Sequence, residues 1–140
     1  LIFTEPLVWI TGEDHERHLQ DPLPLVLAPP PCMYRNRMLQ TLHAMSRNCR
    51  IAYLSSSYNG IIAAVKAGLG VTVMSGSTIP AVVRQLGERE GFPALGELQL
   101  RLHFAETKQN DAIKALEDHI CGSFATPEVI RTAYFHADGR

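Results

Sequence analysis

Ser55, Ser56, Ser57, Tyr58 and Asn59 place five hydroxyl or amide side chains in a row, between the strand-like IAYL (51–54) and the apolar run that begins at Gly60. A polar cluster where a strand hands over to a helix has an obvious chemistry. The first N–H groups of a helix lack partners and carry the positive end of its dipole, which suits a carboxylate or a phosphate. Serine hydroxyls add donors that rotate to fit. A plainer reading is that Ser56 or Ser57 caps the helix, worth about 1 kcal/mol. A second corner of the same kind is APPPCMYR (28–35), where Arg35 offers a two-pronged donor to an anion or stands in solvent as an ordinary helix residue. In open α/β sheets ligands bind beyond the carboxyl ends of strands, at such corners. The candidate ligand-binding residues are therefore Pro31, Cys32, Met33, Tyr34 and Arg35 from one corner and Ser55, Ser56, Ser57 and Tyr58 from the other.

Other chemistry reads more weakly. A thiol near a helix N-terminus, as at Cys32, can act as a nucleophile. The nearest histidine in sequence, His43, lies more than two turns along the same helix, so no catalytic residue is assigned. His15 and His18 are three apart, but no cysteine or carboxylate pair completes a metal site, and both are expected as solvated loop residues. SGS (75–77) is not the serine-hydrolase elbow, and GLG (68–70) lacks the third glycine of a dinucleotide loop. No cofactor and no metal are expected.

These corners need elements to hold them. EPLVWI (5–10) reads as a strand and Thr11 to Asp21 as a polar connection. PLVLA (24–28) has the continuous apolar character of a strand covered on both faces. A helix follows from about Tyr34 to Met45, with Met38, Leu42 and Met45 on one face. RIAYL (50–54) and VTVM (71–74) are strands around a helix that turns Ile61, Ile62 and Val65 inward and stops at Gly68. Thr78 is placed to cap a short helix with Pro80 in its first turn. EREGFPALGE (88–97) reads as loop. LQLRLHFAE (98–106) alternates as a half-buried strand does, and a last helix, about Asn110 to Cys121, buries Ile113, Leu116 and Ile120. The segment from Thr126 shows no periodicity. Strands alternating with helices argue for an α/β fold, a parallel or mixed sheet flanked by helices.

Composition narrows the class. With 140 residues, 46% hydrophobic and 19% charged, the chain is an ordinary globular one. A net charge of −1 gives no field to draw nucleic acid. The odd count of three cysteines, with no CxxC pair, fits a reducing compartment. No apolar run approaches the ~20 residues of a membrane span, and no signal peptide is read. The start at Leu1 without methionine suggests an excised domain.

The stretch IAYLSSSYNGIIAAVKAGLGVTVMSGSTIP resembles the second subdomain of the effector-binding domain of LysR-type transcriptional regulators, most specifically at AVKAGLGVTV. EPLVWI is similar to that family's strand before the crossover between subdomains, and PLPLVLAPPPCMYRNRMLQTLHAM to its next strand, proline-rich loop and helix. Residues 98–106 and 110–121 look like the return into the first subdomain; the resemblance covers about residues 5 to 124.

That resemblance implies a periplasmic-binding-protein-like (type 2) lobe at 15–96, a remnant of the first subdomain at 1–14 and 97–125, and a tail at 126–140. It implies a cytoplasmic, non-enzymatic sensor that binds a small, anionic metabolite in an inter-lobe cleft. The sensor works as a homodimer or homotetramer and touches DNA only through an N-terminal helix-turn-helix domain that these residues do not contain. The rest of the first subdomain is absent too. Two rivals from the residues themselves are a lobe of an extracytoplasmic solute-binding protein and a small α/β enzyme using Cys32; a third is a unit serving only oligomerisation.

Overall fold

The structure, a computed structural model, describes residues 1–105 and 110–124. Its elements in chain order are β1 (Phe3–Gly12), β2 (Leu23–Leu27), α1 (Met33–Ala44), β3 (Cys49–Leu54), α2 (Tyr58–Lys66), β4 (Thr72–Ser75), β5 (Val83–Leu86), β6 (Glu97–Leu100) and α3 (Asp111–Phe124). Short 3-10 turns stand at Arg17–Leu19, Gly76–Thr78 and Glu88–Glu90. The chain divides into two compact units, Pro6–Gly96 and Leu1–Glu5 with the described residues from Glu97 on.

The larger unit is built on two sheets, a β2–β3 pair and a group in the order β4, β1, β5. β2 and β3 run parallel, while β1 runs antiparallel to both β4 and β5. The two halves join at a parallel bridge between Leu25 and Val71, where Val26 N–H donates to Val71 O and Val71 N–H to Pro24 O, both at 2.9 Å. Every residue of β2 is buried, as its unbroken apolar run requires of a strand covered on both faces. On one face Ile10, Val26 and Met74 pack against Ala64 and Val65 of α2, with Ile61, Ile62, Ile79 and Val83 at the margin. Trp9, Leu25, Leu27 and Val73 are buried too, and by alternation belong to the other face. There the Phe92 ring packs tilted against Trp9 with centroids 5.2 Å apart, the Trp9 indole N–H donates to Pro93 O at 2.9 Å, and Arg37 of α1 donates to Leu95 O at 3.0 Å. Loop 92–95 thus behaves as core, with Phe92 and Leu95 buried.

α2 ends as its sequence predicts. Gly68 adopts φ +76, its N–H bonds to Val65 O and that of Leu69 to Ala64 O, closing the helix with a left-handed residue.

In the smaller unit Ile2 N–H donates to Leu100 O at 2.8 Å as β6 pairs with β1, and the rings of Phe3 and Phe124 lie 5.9 Å apart. Asn110 Oδ1 accepts the Ile113 N–H at 2.9 Å at the start of α3. Leu102, Phe104, Ile113, Leu116 and Ile120 line a cavity of about 210 Å³.

Four expectations from sequence are corrected. Residues 78–86 hold no helix at Pro80: Thr78 closes a 3-10 turn with its hydroxyl bonded back to Ser75 O, and β5 then satisfies the free edge of β1. The strand expected over 98–106 ends at Leu100, the rung bonded to Ile2. No residue of α3 is buried, Leu116 being 58% exposed and Ile113 and Ile120 half-buried; Met45, on the same α1 face as buried Met38 and Leu42, is 39% exposed at the helix end. His18 is buried, not solvated, because the Arg17–Leu19 turn folds it against Phe92. The expected tail at 126–140 lies outside the described residues.

Gly70 stands at the β2–β4 junction, where an added Cβ would sit 2.5 Å from Pro24 O. Backbone must yield there, so Gly70→Ala should cost about 1–3 kcal/mol in urea denaturation; wild-type stability in that variant would show the junction to be looser than described.

Candidate functional site

Because β2, β3 and β4 are parallel, their carboxyl ends share one edge of the sheet. Ser55 N–H donating to Leu27 O at 3.0 Å fixes the first two ends side by side. α1 leaves the end of β2 and α2 the end of β3, so the two corners picked out by sequence are neighbours, although the helices cover opposite faces. A third corner, Ser75–Thr78, leaves β4 on the same edge. It was missed by sequence reasoning, which set SGS aside as a failed hydrolase motif. The parallel Leu25–Val71 bridge is what brings it in, and that is a long-range fact.

Each corner is fastened differently. Ser57 is the N-cap of α2: its Oγ accepts the Gly60 N–H at 3.3 Å, while Ser55 Oγ accepts the Ser57 N–H at 3.1 Å. Gly60 makes room for this, since a Cβ there would meet Ser55 Oγ at 2.5 Å. Ser56 is exposed between them. Tyr58 Oη donates to Thr78 O at 2.7 Å and ties the second corner to the third. Thr78 Oγ1 donates to Ser75 O at 2.9 Å and lies 3.3 Å from the buried Ser75 hydroxyl.

At the first corner Cys32 is the N-cap of α1 in extended conformation, with no side-chain cap bond. Pro31 and Met33 are exposed, and Cys32, Tyr34 and Arg35 half-buried. Arg35 Nη1 donates to Ala28 O at 3.2 Å, so its guanidinium braces the loop leaving β2 and keeps other donors for a ligand.

The electrostatics favour negative charge. Neither α1 nor α2 has an acidic residue in its first turn, so nothing on either helix offsets the dipole end. The edge offers hydroxyls, helix N–H groups and one guanidinium. Among the described residues no group of three or more His, Cys, Asp or Glu could hold a metal ion, and no helix is long and apolar enough to cross a membrane.

The two N-caps should respond unequally to truncation. Ser57→Ala removes a side-chain cap and should lower stability by about 1 kcal/mol. Cys32→Ala removes none and should stay within about 0.5 kcal/mol of wild type. Urea denaturation of both variants checks this, and equal losses would contradict the capping geometry.

Comparison with known proteins gives this geometry its relatives. A family model described as the LysR substrate binding domain matches residues 1–122. The chain is 32% identical over 120 residues to the HTH-type transcriptional regulator DgdR of Burkholderia cepacia, covering 86% of this chain and 41% of that protein. It is 32% identical over 116 residues to the HTH-type transcriptional regulator PecT of Dickeya dadantii (strain 3937), covering 83% and 37%. The chain thus spans about two-fifths of the length of these curated relatives. Among solved structures it is similar to the effector binding domain of QuiR in complex with shikimate, with TM-score 0.57, 16% identity and coverage of 89% of this chain and 63% of that one. It is similar also to the Synechocystis PCC6803 CcmR regulatory domain in complex with 2-PG, with TM-score 0.60, 15% identity and coverage of 88% and 64%. At these identities the structural likeness speaks to fold. The chain belongs to the LysR substrate binding domain family, as an effector-binding domain with a periplasmic-binding-protein-like, type 2 fold.

Proposed function

We propose that the edge formed by Pro31 to Arg35 and Ser55 to Tyr58 receives a small anionic metabolite, and that this sensing governs DNA binding by a helix-turn-helix domain belonging to the same regulator. The observation that carries the reading is the adjacency of the two strand ends that lead into α1 and α2, helices with no acidic residue in the first turn, one of them capped by a serine. Helix-terminal N–H groups and rotatable hydroxyls bind carboxylate and phosphate oxygens without requiring a lysine. Two structural relatives were solved with small molecules, shikimate and 2-PG, which supports a small-molecule ligand here. The curated relatives being transcriptional regulators supports a cytoplasmic, non-catalytic role.

In this reading residues 15–96 correspond to the family's second subdomain, and residues 1–14 with the described residues of 97–125 to part of its first. The effector acts by its unequal affinity for two arrangements of the regulator, since only such a difference can shift their populations.

The experiment is a thermal-shift screen of the full regulator against small carboxylates and phosphates, each beside a neutral analogue. A ligand at ~100 times its Kd stabilises by about 2.7 kcal/mol, a rise of several degrees. Ser56→Ala combined with Ser57→Ala should shrink that rise after correction for the lost cap. A rise unchanged in the double variant would move the site elsewhere, and no rise with any anion would remove the proposal.

A further inference from the structure

The face of the sheet carrying Trp9 holds a titratable group that the effector edge does not use. His18 is 5% exposed, and its ring lies 6.3 Å from that of Phe92, which in turn packs tilted against Trp9 at 5.2 Å. Its Nδ1 is buried and has no hydrogen-bond partner among the described residues. Two guanidinium groups bracket the ring's surroundings. Arg47, just after α1, donates to the His18 carbonyl and places its own charge 4.8 Å over the Phe92 ring. Arg84 of β5 donates to His15 O at 3.4 Å.

We propose that His18 is a proton-sensitive latch: neutral, it holds the Arg17–Leu19 turn and loop 87–95 over Trp9, and protonated, it releases them. A charge on His18 would be buried with two cations close by and its Nδ1 without an acceptor, and a buried cation needs a hydrogen-bonded partner. The groups facing it are Arg84 from β5 and Arg47 from the end of α1, which oppose its protonation, and Glu16 beside the turn and Glu90 from the Glu88–Glu90 turn, which favour it. β2, packed against the same turn, contributes only Leu23 to Leu27, with no charge. Glu90 is already committed, since its carboxylate accepts the Gly87 N–H at 2.8 Å, which holds it below the usual carboxylate range.

Burial first, then Arg84, lowers the His18 pKa below its ordinary 6.5, against the smaller opposing effects of Glu16 and Glu90. The direction sets the window. Well above pH 6.5 the ring is neutral whether the latch is closed or open, and closure keeps its full stability. As pH falls from 6.5 through the lower value of the closed form, the open form takes the proton first, and closure is progressively lost. What opens is defined by contact: loop 87–95 is fastened by the Trp9 indole bond to Pro93 and by the packing of Phe92. Trp9 is the chain's one tryptophan and reports that event without a label.

The test follows Trp9 emission of the chain from pH 8 down to pH 5 beside the far-UV helical signal, for wild type and His18→Leu. The expected result is a reversible red shift in wild type, with a midpoint below 6.5, unchanged helical signal and no shift in the variant. The same transition in His18→Leu, or helix loss accompanying the shift, overturns the latch. A wild-type NMR titration keeps the test independent of whether the variant folds. The Trp9 indole resonance moving with the His18 ring supports the latch. An indole resonance that stays put, or a His18 titrating at or above 6.5, overturns it.

Discussion

Two backbone hydrogen bonds between Pro24–Val26 and Val71 hold the molecule's arrangement together. Without them β2 and β3 form one parallel pair and β4, β1 and β5 form a separate antiparallel group. With them, three parallel strands point their carboxyl ends the same way, and every corner of the candidate site comes to one edge. The contact is short because Gly70 lets the β4 segment approach the Pro24 carbonyl. A proline at the centre of a sheet offers no donor, and here Pro24 takes part through its carbonyl alone. The family's AGLGV pattern therefore has a mechanical meaning: one glycine ends α2 in a left-handed turn, and the next admits the neighbouring backbone.

Local signals carried much of this fold. The continuous apolar run of β2 announced burial on both faces, and the inward Ile61, Ile62 and Val65 with Gly68 marked α2 and its end. What failed was long-range. Residues 83–86 have little to distinguish them as a strand, and become β5 because β1 presents an unpaired edge at Trp9 to Gly12. Phe92 and Leu95 sit in a segment whose glycines and charges read as solvent-exposed loop, yet Trp9 and Arg37 draw them into the core. His18 followed the same course, since nothing in its own neighbourhood of sequence specifies Phe92 as its cover. The candidate corners were legible because each is local, a strand end running into a helix start. The third corner was not, because only the junction through Val71 brings it beside them.

The site edge is poor in formal charge and rich in directed dipoles. Arg35 spends one donor on Ala28 O, Tyr58 spends its hydroxyl proton on Thr78 O, and Ser55 and Ser57 accept backbone N–H groups. Ser55 also donates its hydroxyl proton to Ser57 O, but Ser57, which accepts from the Gly60 N–H, has its own proton to donate outward, so fastening the corner and meeting an anion are compatible roles there. This is why the capping and ligand-binding readings of Ser57, rivals in sequence, need not exclude one another in the folded chain. The cap holds the hydroxyl where it can point outward, and preorganised donors cost less to engage than mobile ones.

The two faces of the sheet are stabilised by different means, and the difference bears on where the domain gives way. The α2 face is an apolar cluster, joined by the buried Thr72 in register with Ile10. The opposite face buries Thr11 and His18, and Thr11 Oγ1 and His18 Nδ1 are both without hydrogen-bond partners among the described residues. Each unpaired buried polar atom costs about 1–3 kcal/mol relative to a satisfied one. Thr11 carries it within β1, but at His18 it falls on the Arg17–Leu19 turn, which with the loop after Gly91 is held by single side-chain bonds from Trp9, Arg37 and Arg47. Opening such a segment releases the cost while leaving the α2 face and the β2–β4 junction intact. Local openings draw on the least stable parts of a fold, and in this one they belong to the face that carries the histidine.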